Sequence, residues 1–326
     1  MAKAKKVEGL DCEATADAGV GRVLLARFEE MAEYGEAALD FADVEGVHDM
    51  RVASRRLRSA LRDFAPHVWR PSRLERVRGA LKELAGALGG VRDEDVAIAA
   101  LARLAEAAPA EARAGIEALA EERHGRRESR RRRLAEALGT EAVEKLRSRF
   151  ARAVEEACRP PRSKKGGAVE SQESFAGVGR AVVARSWAEL RELSPSLYRP
   201  LKQRRLHRMR IAAKRLRYAL ELFTACWGGA AHDLASEISD LQDALGELHD
   251  CDEWIAEIGE RLARRGGDSA GGADLEKRTG LVWLLDHFAA ERARSYREAL
   301  RIWHGWERED FAARIAACAE GERPAG

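Results

Sequence analysis

The feature that most constrains this chain is that its sequence is written twice. Residues 18–27, AGVGRVLLAR, match 176–185, AGVGRAVVAR, at seven of ten positions with an offset of 158. Residues 47–66, VHDMRVASRRLRSALRDFAP, match 206–225, LHRMRIAAKRLRYALELFTA, at ten of twenty with an offset of 159. LGGVRDEDV at 88–96 parallels LGELHDCDE at 245–253 with an offset of 157. Three collinear matches with drifting offsets imply two copies of one unit with small loop insertions, and such a period is too long for a solenoid. The fold must be one that two similar halves can build.

Composition says what each half is made of. Of the 326 residues 45% are apolar but only 6% aromatic, and Ala, Leu, Arg and Glu predominate, which favours helices and leaves little for strands. Eight prolines separate stretches of helical period. The expectation is an all-α chain, with first-copy helices near 18–41, 46–65, 71–88, 93–107 and 110–157, the last broken near Gly139. The second copy repeats this order over about 174–320, with GGDSAGG at 266–272 falling where Pro109 interrupts the first. In domain terms this gives a flexible N-terminus at 1–15, a first half at 16–157, a Pro/Gly/Ser/Lys-rich linker at 158–172 and a second half at 173–320.

Five cysteines, Cys12, Cys158, Cys226, Cys251 and Cys318, are scattered and never form a C-x-x-C pair. That argues against a disulfide framework or zinc ribbon and for a reducing cytosol. No stretch approaches the roughly 18 apolar residues of a membrane span, and the basic start MAKAKK has no apolar run behind it. A soluble cytoplasmic protein without a membrane partner is expected.

The formal charge of +2 selects no partner, but the distribution of charge does. On a helix, Met50, Ala53, Leu57, Ala60, Leu61 and Phe64 share one side, while His48, Arg51, Arg55, Arg58 and Arg62 share the other. The second copy sets His207, Arg210, Lys214 and Arg217 opposite Met209, Ala212, Leu216, Ala219, Leu220 and Phe223, and Arg56 and Arg215 flank these faces. Like charges at i, i+3 and i+4 repel, so an acid-free face in both copies points to an external anion. Arginine's planar fork suits phosphate oxygens. A third basic block, RHGRRESRRRR at 123–133, is interrupted by Glu128 and reads more simply as a solvated surface; within it Arg127 and Arg130, with Arg292 and Arg294 in the second copy, are secondary candidates.

Asp93 and Asp95, and Asp250 and Asp252, have the look of a metal or acid/base pair, but a helix-start position makes capping, or a salt bridge to a motif arginine, the better expectation. The chain has no P-loop, GxSxG, HExxH or paired-cysteine pattern.

The pattern H-x-M-R-V-x-x-R-R-L-R-x-x-L-x-x-F, followed by L-G-x-x-R-D-x-D-V, resembles the CHAD family, the conserved histidine α-helical domain, and does so in both copies, at His48 and His207. The resemblance implies two pseudo-symmetric helical bundles packed around a basic cavity or channel that binds inorganic polyphosphate. It places the binding residues at His48, Arg51, Arg55, Arg56 and Arg58 and at His207, Arg210, Lys214, Arg215 and Arg217, with Arg62 and Arg92 secondary. The second copy departs from the first with His249 in place of Arg92 and Glu221 in place of Arg62. Some relatives carry a triphosphate-cleaving domain opening on E-x-E-x-K, which this chain lacks. The expectation is a stand-alone, cytoplasmic, granule-compatible polyphosphate binder with no catalytic activity, cofactor or metal. Nucleic-acid binding through the same faces is the first alternative, and a metal-dependent phosphohydrolase using the aspartates is the second.

Overall fold

The computed structural model describes residues 4–161, 173–264 and 272–320 and resolves them into ten α-helices. α1 (Ala16–Glu33) leads through a 3-10 turn at Ala37–Leu39 to α2 (Val44–Phe64), and Pro71 opens α3 (Pro71–Ala107). α4 (Ala110–Ala137) follows and breaks at Leu138–Gly139 before α5 (Thr140–Cys158). The second half comprises α6 (Phe175–Leu193), α7 (Gln203–Trp227), α8 (Gly229–Arg264), α9 (Gly272–Arg308) and α10 (Phe311–Glu320). Among the described residues the extended pairing is a single antiparallel bridge between Thr15 and Ser174, immediately before α1 and α6. None of these helices is long and apolar enough to cross a membrane.

Local chemistry sets the helix ends. The Asp43 carboxylate accepts from the Glu45 N–H at 2.9 Å and caps α2, and the Ser174 hydroxyl accepts from the Gly177 N–H at 3.1 Å and caps α6. Gly228, at φ +71°, makes the sharp turn from α7 into α8, a conformation that costs glycine little. Asp310, at φ 45°, separates α9 from α10, and its side chain accepts from the Ala313 N–H at 3.3 Å. The apolar stripes of α2 and α7 are interior: Met50, Leu57, Leu61, Phe64, Met209, Leu216, Leu220 and Phe223 are all buried.

Packing joins the two halves at both ends. At one end α1 lies on α6 and α2 on α7, and Phe64, Phe175 and Phe223 interlock with centroids 4.9–6.2 Å apart. At the other end α4 crosses α9. A Cβ at Gly115 would stand 2.7 Å from the Lys277 carbonyl oxygen, so the helices meet backbone to backbone. A second core of Leu101, Ile116, Leu119, Ile258, Leu284 and Phe288 fills that end.

Four sequence expectations need correction. The break expected between 88 and 93 is absent: α3 runs without interruption to Ala107, and α8 is equally continuous through 245–253. Asp93, Asp95, Asp250 and Asp252 are therefore mid-helix and cap nothing. Residues 4–15 are not a loose lead-in, because Val7 is buried and the Lys5 N–H donates to Glu30 Oε1 at 3.1 Å. Cys12 and Cys226, 214 residues apart, form a disulfide, so the inference from scattered cysteines to a reducing compartment loses its premise. Of the linker, Cys158 ends α5, while 162–172 and most of GGDSAGG lie outside the described residues.

Candidate anion-binding cleft

α2 and α7 pack against each other and turn their basic faces to a common cleft, closed on a third side by α3. The cleft has a volume of about 630 Å³ and is lined by Arg55, Arg58 and Arg62 from α2, Lys214, Arg215 and Tyr218 from α7, and Glu75, Arg78, Gly79 and Lys82 from α3. Seven cations thus face one carboxylate. The carboxylate, Glu75, is already paired with Arg78.

Around Lys214 the cations crowd one another. Lys214 is pushed down to about 6, first by burial and then by Arg55, Arg210, Arg51 and Arg217, so cations of both motif helices bear on one ammonium. Desolvation likewise lowers Arg55, Arg58 and Arg62, with Arg51 and Arg217 adding to it at Arg55 and Arg78 at Arg58. Arg55, Arg58, Arg210 and Lys214 form no ion pair among the described residues, whereas Arg51, Arg123, Arg215 and Arg292 do.

Arg51 and Arg210 lie along glycines of the neighbouring helices. A Cβ at Gly89 of α3 would stand 3.6 Å from Arg51 Nε, and one at Gly246 of α8 3.3 Å from Arg210 Nε. Arg51 also donates to Asp93 Oδ1 at 3.0 Å. Asp93 in turn is raised, by desolvation first and by Asp250 among its neighbours, so the acidic residues of α3 and α8 adjoin. His48 and His207 are half-buried and both lowered by burial, His48 with help from Arg92 and His207 from His249, whose ring centroid is 3.9 Å away. Both rings are therefore neutral near pH 7.

Several predicted binding residues are elsewhere. Arg56 is only 9% exposed and lies 3.8 Å from Glu30 and 3.7 Å from Glu221. Arg217, also buried, lies 3.6 Å from Glu221 and donates to Ser239 at 3.1 Å. Both are interior ion-pair residues, with Glu221 between them. Arg62 and Arg215 do line the cleft, but each holds a carboxylate, Asp63 and Glu189. The secondary candidates are tied back as well: Arg127 to Asp95 at 3.6 Å, Arg130 to Glu94 at 3.8 Å, Arg292 to Asp252 at 2.6 Å and Arg294 to Glu291. Arg92 stays beside His48.

Two cleft cations, Arg78 and Lys82, escaped the sequence reading. They recur at i, i+4 on α3 next to Glu75, which alone reads as a solvated helix face. For metal ligation, the group among the described residues is Glu45, His48 and Asp49 on the first turns of α2, whose ligand atoms lie within 4.8 Å of one another, Glu45 exposed and the other two half-buried. Asp93, Asp95 and Asp252 are occupied by arginines.

An all-helical protein with an arginine-rich cleft between its two halves is the class that the geometry defines. The sequence model described as "CHAD domain" matches residues 22–259, and the chain belongs to the CHAD domain family. In fold it is similar to the crystal structure of the CHAD domain from the plant Ricinus communis, with TM-score 0.71 and 21% identity over 94% of this chain and 96% of that one. It is also similar to PptA from Streptomyces chartreusis, with TM-score 0.64 and 15% identity over 89% and 100% of the two chains. A search of curated proteins gives no match.

Proposed function

We propose that this chain binds inorganic polyphosphate in the cleft among α2, α3 and α7, and that its halves are copies of one unit packed pseudo-symmetrically about that basic cavity. The observation that carries the reading is Lys214. An amine ringed by Arg51, Arg55, Arg210 and Arg217, its ammonium form disfavoured down to about 6, is a place where a multivalent anion would restore the lost charge. Arginines without carboxylates beside it supply charge-assisted hydrogen bonds to phosphate oxygens. The family resemblance implies the same ligand. The pairing of Asp93, Asp95 and Asp252 with arginines supports a binder rather than a catalyst. Contact with polyphosphate stores is part of the same reading.

Nucleic acid fits less well. Base stacking needs a free aromatic face, and the cleft's aromatic, Tyr218, has Arg55 at 6.0 Å and Arg217 at 5.0 Å from its ring centroid. Competition tests the choice: unlabelled polyphosphate should displace a labelled polyphosphate on the order of a hundredfold more effectively than single-stranded RNA of equal charge. Equal displacement by the two polymers would overturn the selectivity.

A further inference from the structure

The basic surface continues past the wall of the cleft. That wall is the first turns of α3, where Arg78, Gly79 and Lys82 face inward. On the other side of the same turns, Arg73 and Arg76 face Arg149, Arg152 and Glu156 of α5 across a groove of about 230 Å³. Arg73 is paired with Glu156 at 3.3 Å. Arg76, Arg149 and Arg152 are exposed and have no carboxylate partner among the described residues.

The point between cleft and groove is bare. Arg76 and Gly79 are i, i+3 neighbours on the helix surface. A Cβ at Gly79 meets nothing within 4 Å, so no packing requires glycine there, although glycine is a poor residue for a helix interior. At Gly79 itself no side chain stands between the cleft and the groove, and a linear ligand can cross α3 there. The matching place in the second half is not basic. With the 157 offset, Arg73 and Arg76 correspond to Ala230 and Asp233. Arg314, which corresponds to Arg152 when LAEAL at 134–138 is set against YREAL at 296–300, is held by Glu237 and Glu309.

We propose that the α3–α5 groove is a second phosphate-polymer subsite: a chain too long for the cleft crosses α3 at Gly79 and is gripped by Arg76, Arg149 and Arg152, leaving the protein on this side alone. The inference rests on the cleft holding phosphate polymer, and the experiment separates the two. Binding of tripolyphosphate, short enough for the cleft, and of long-chain polyphosphate is measured against salt for three variants. These are the groove variant Arg76→Ala/Arg149→Ala/Arg152→Ala, the cleft variant Arg55→Ala/Arg58→Ala/Lys214→Ala, and a control, Arg132→Ala/Arg133→Ala/Arg297→Ala, that removes equal charge from exposed sites elsewhere.

The groove variant should lower the log–log salt slope for the long chain by about 2, at roughly 0.7 per lost phosphate contact, and leave tripolyphosphate unchanged. The cleft variant should weaken both ligands. An unchanged long-chain slope in the groove variant, or an equal loss in the control, overturns the subsite while the cleft stands. Unchanged binding of both ligands in the cleft variant overturns the cleft and the subsite with it. A groove variant that loses single-stranded RNA but keeps polyphosphate assigns the groove to another polymer and overturns the proposal too.

Discussion

Glu221 of α7 lies 3.7 Å from Arg56 of α2 across the junction of the two halves, and its other carboxylate oxygen is 3.6 Å from Arg217. At the sequence offset of 159 that aligns 47–66 with 206–225, position 221 falls on Arg62. One exchange of sign turns two motif arginines into interior partners of a carboxylate and leaves the remaining cations to face the cleft.

The exchange separates stability from binding. Arg56→Ala takes one of two cations from Glu30, itself 2% exposed, and from Glu221, leaving them Arg27 and Arg217, and should cost part of the about 3–5 kcal/mol lost when a buried pair is broken outright. Arg58→Ala, at an exposed position, should stay within about 0.5 kcal/mol of wild type and weaken polyphosphate binding instead. Urea unfolding and titration of both variants check the pattern.

Lys214 makes stability and binding depend on pH. Its value falls from an ordinary 10.5 to about 6 in the fold. Between those values the unfolded chain holds a proton that the folded chain lacks, so stability rises with pH through the window, and the full penalty applies below pH 6. Lys214→Met should raise Tm at pH 7, flatten its pH dependence and weaken polyphosphate binding. In the wild type a bound anion restores the ammonium, so binding near pH 7.5 should take up a proton. Calorimetry in buffers of different ionisation enthalpy reads that uptake, and identical enthalpies would refute it.

The disulfide is directly measurable. Alkylation of the denatured, unreduced protein should label Cys158, Cys251 and Cys318 and spare Cys12 and Cys226. Cys12→Ser/Cys226→Ser should lose about 2–5 kcal/mol of stability, seen as a lower urea midpoint, with polyphosphate affinity unchanged.

The backbone contact between α4 and α9 admits no side chain. Gly115→Leu would drive atoms into the Lys277 carbonyl and Gly280 Cα, a clash at which overpacking costs about 1–3 kcal/mol or more. Thermal unfolding should show the loss, whereas Gly125→Ala on the same helix, with open space around its Cβ position, should not.

What the sequence made legible was periodic or repeated. The apolar stripe from Met50 to Phe64 and the acid-free cations opposite it follow from helical geometry, and both copies carry them. What it hid depends on facing helices. Arg56 and Arg58 look alike in sequence, and their fates divide because Glu30 and Glu221 reach one and solvent the other. The double glycine at 89–90 reads as a break, yet Gly89 stays helical and makes room for Arg51, and Gly90 lies under Arg130. Cys12 and Cys226 pair across 214 residues, beyond any local pattern. Arg78 and Lys82 belong to a third helix, whose charges acquire meaning only where α2 and α7 leave a space beside it.

The most direct test of the account is calorimetric titration of long-chain polyphosphate into the wild type and into Arg55→Ala/Arg58→Ala/Lys214→Ala over a range of salt. With Arg55, Arg58, Lys82 and Lys214 engaged, the cleft cations that hold no carboxylate, the wild-type log–log slope should be about −3, at roughly 0.7 per contact. The variant should keep its helical fold, lose affinity and show a slope smaller by about 2. Equal affinity and equal slope in the two proteins would contradict the assignment of the cleft as the polyphosphate site.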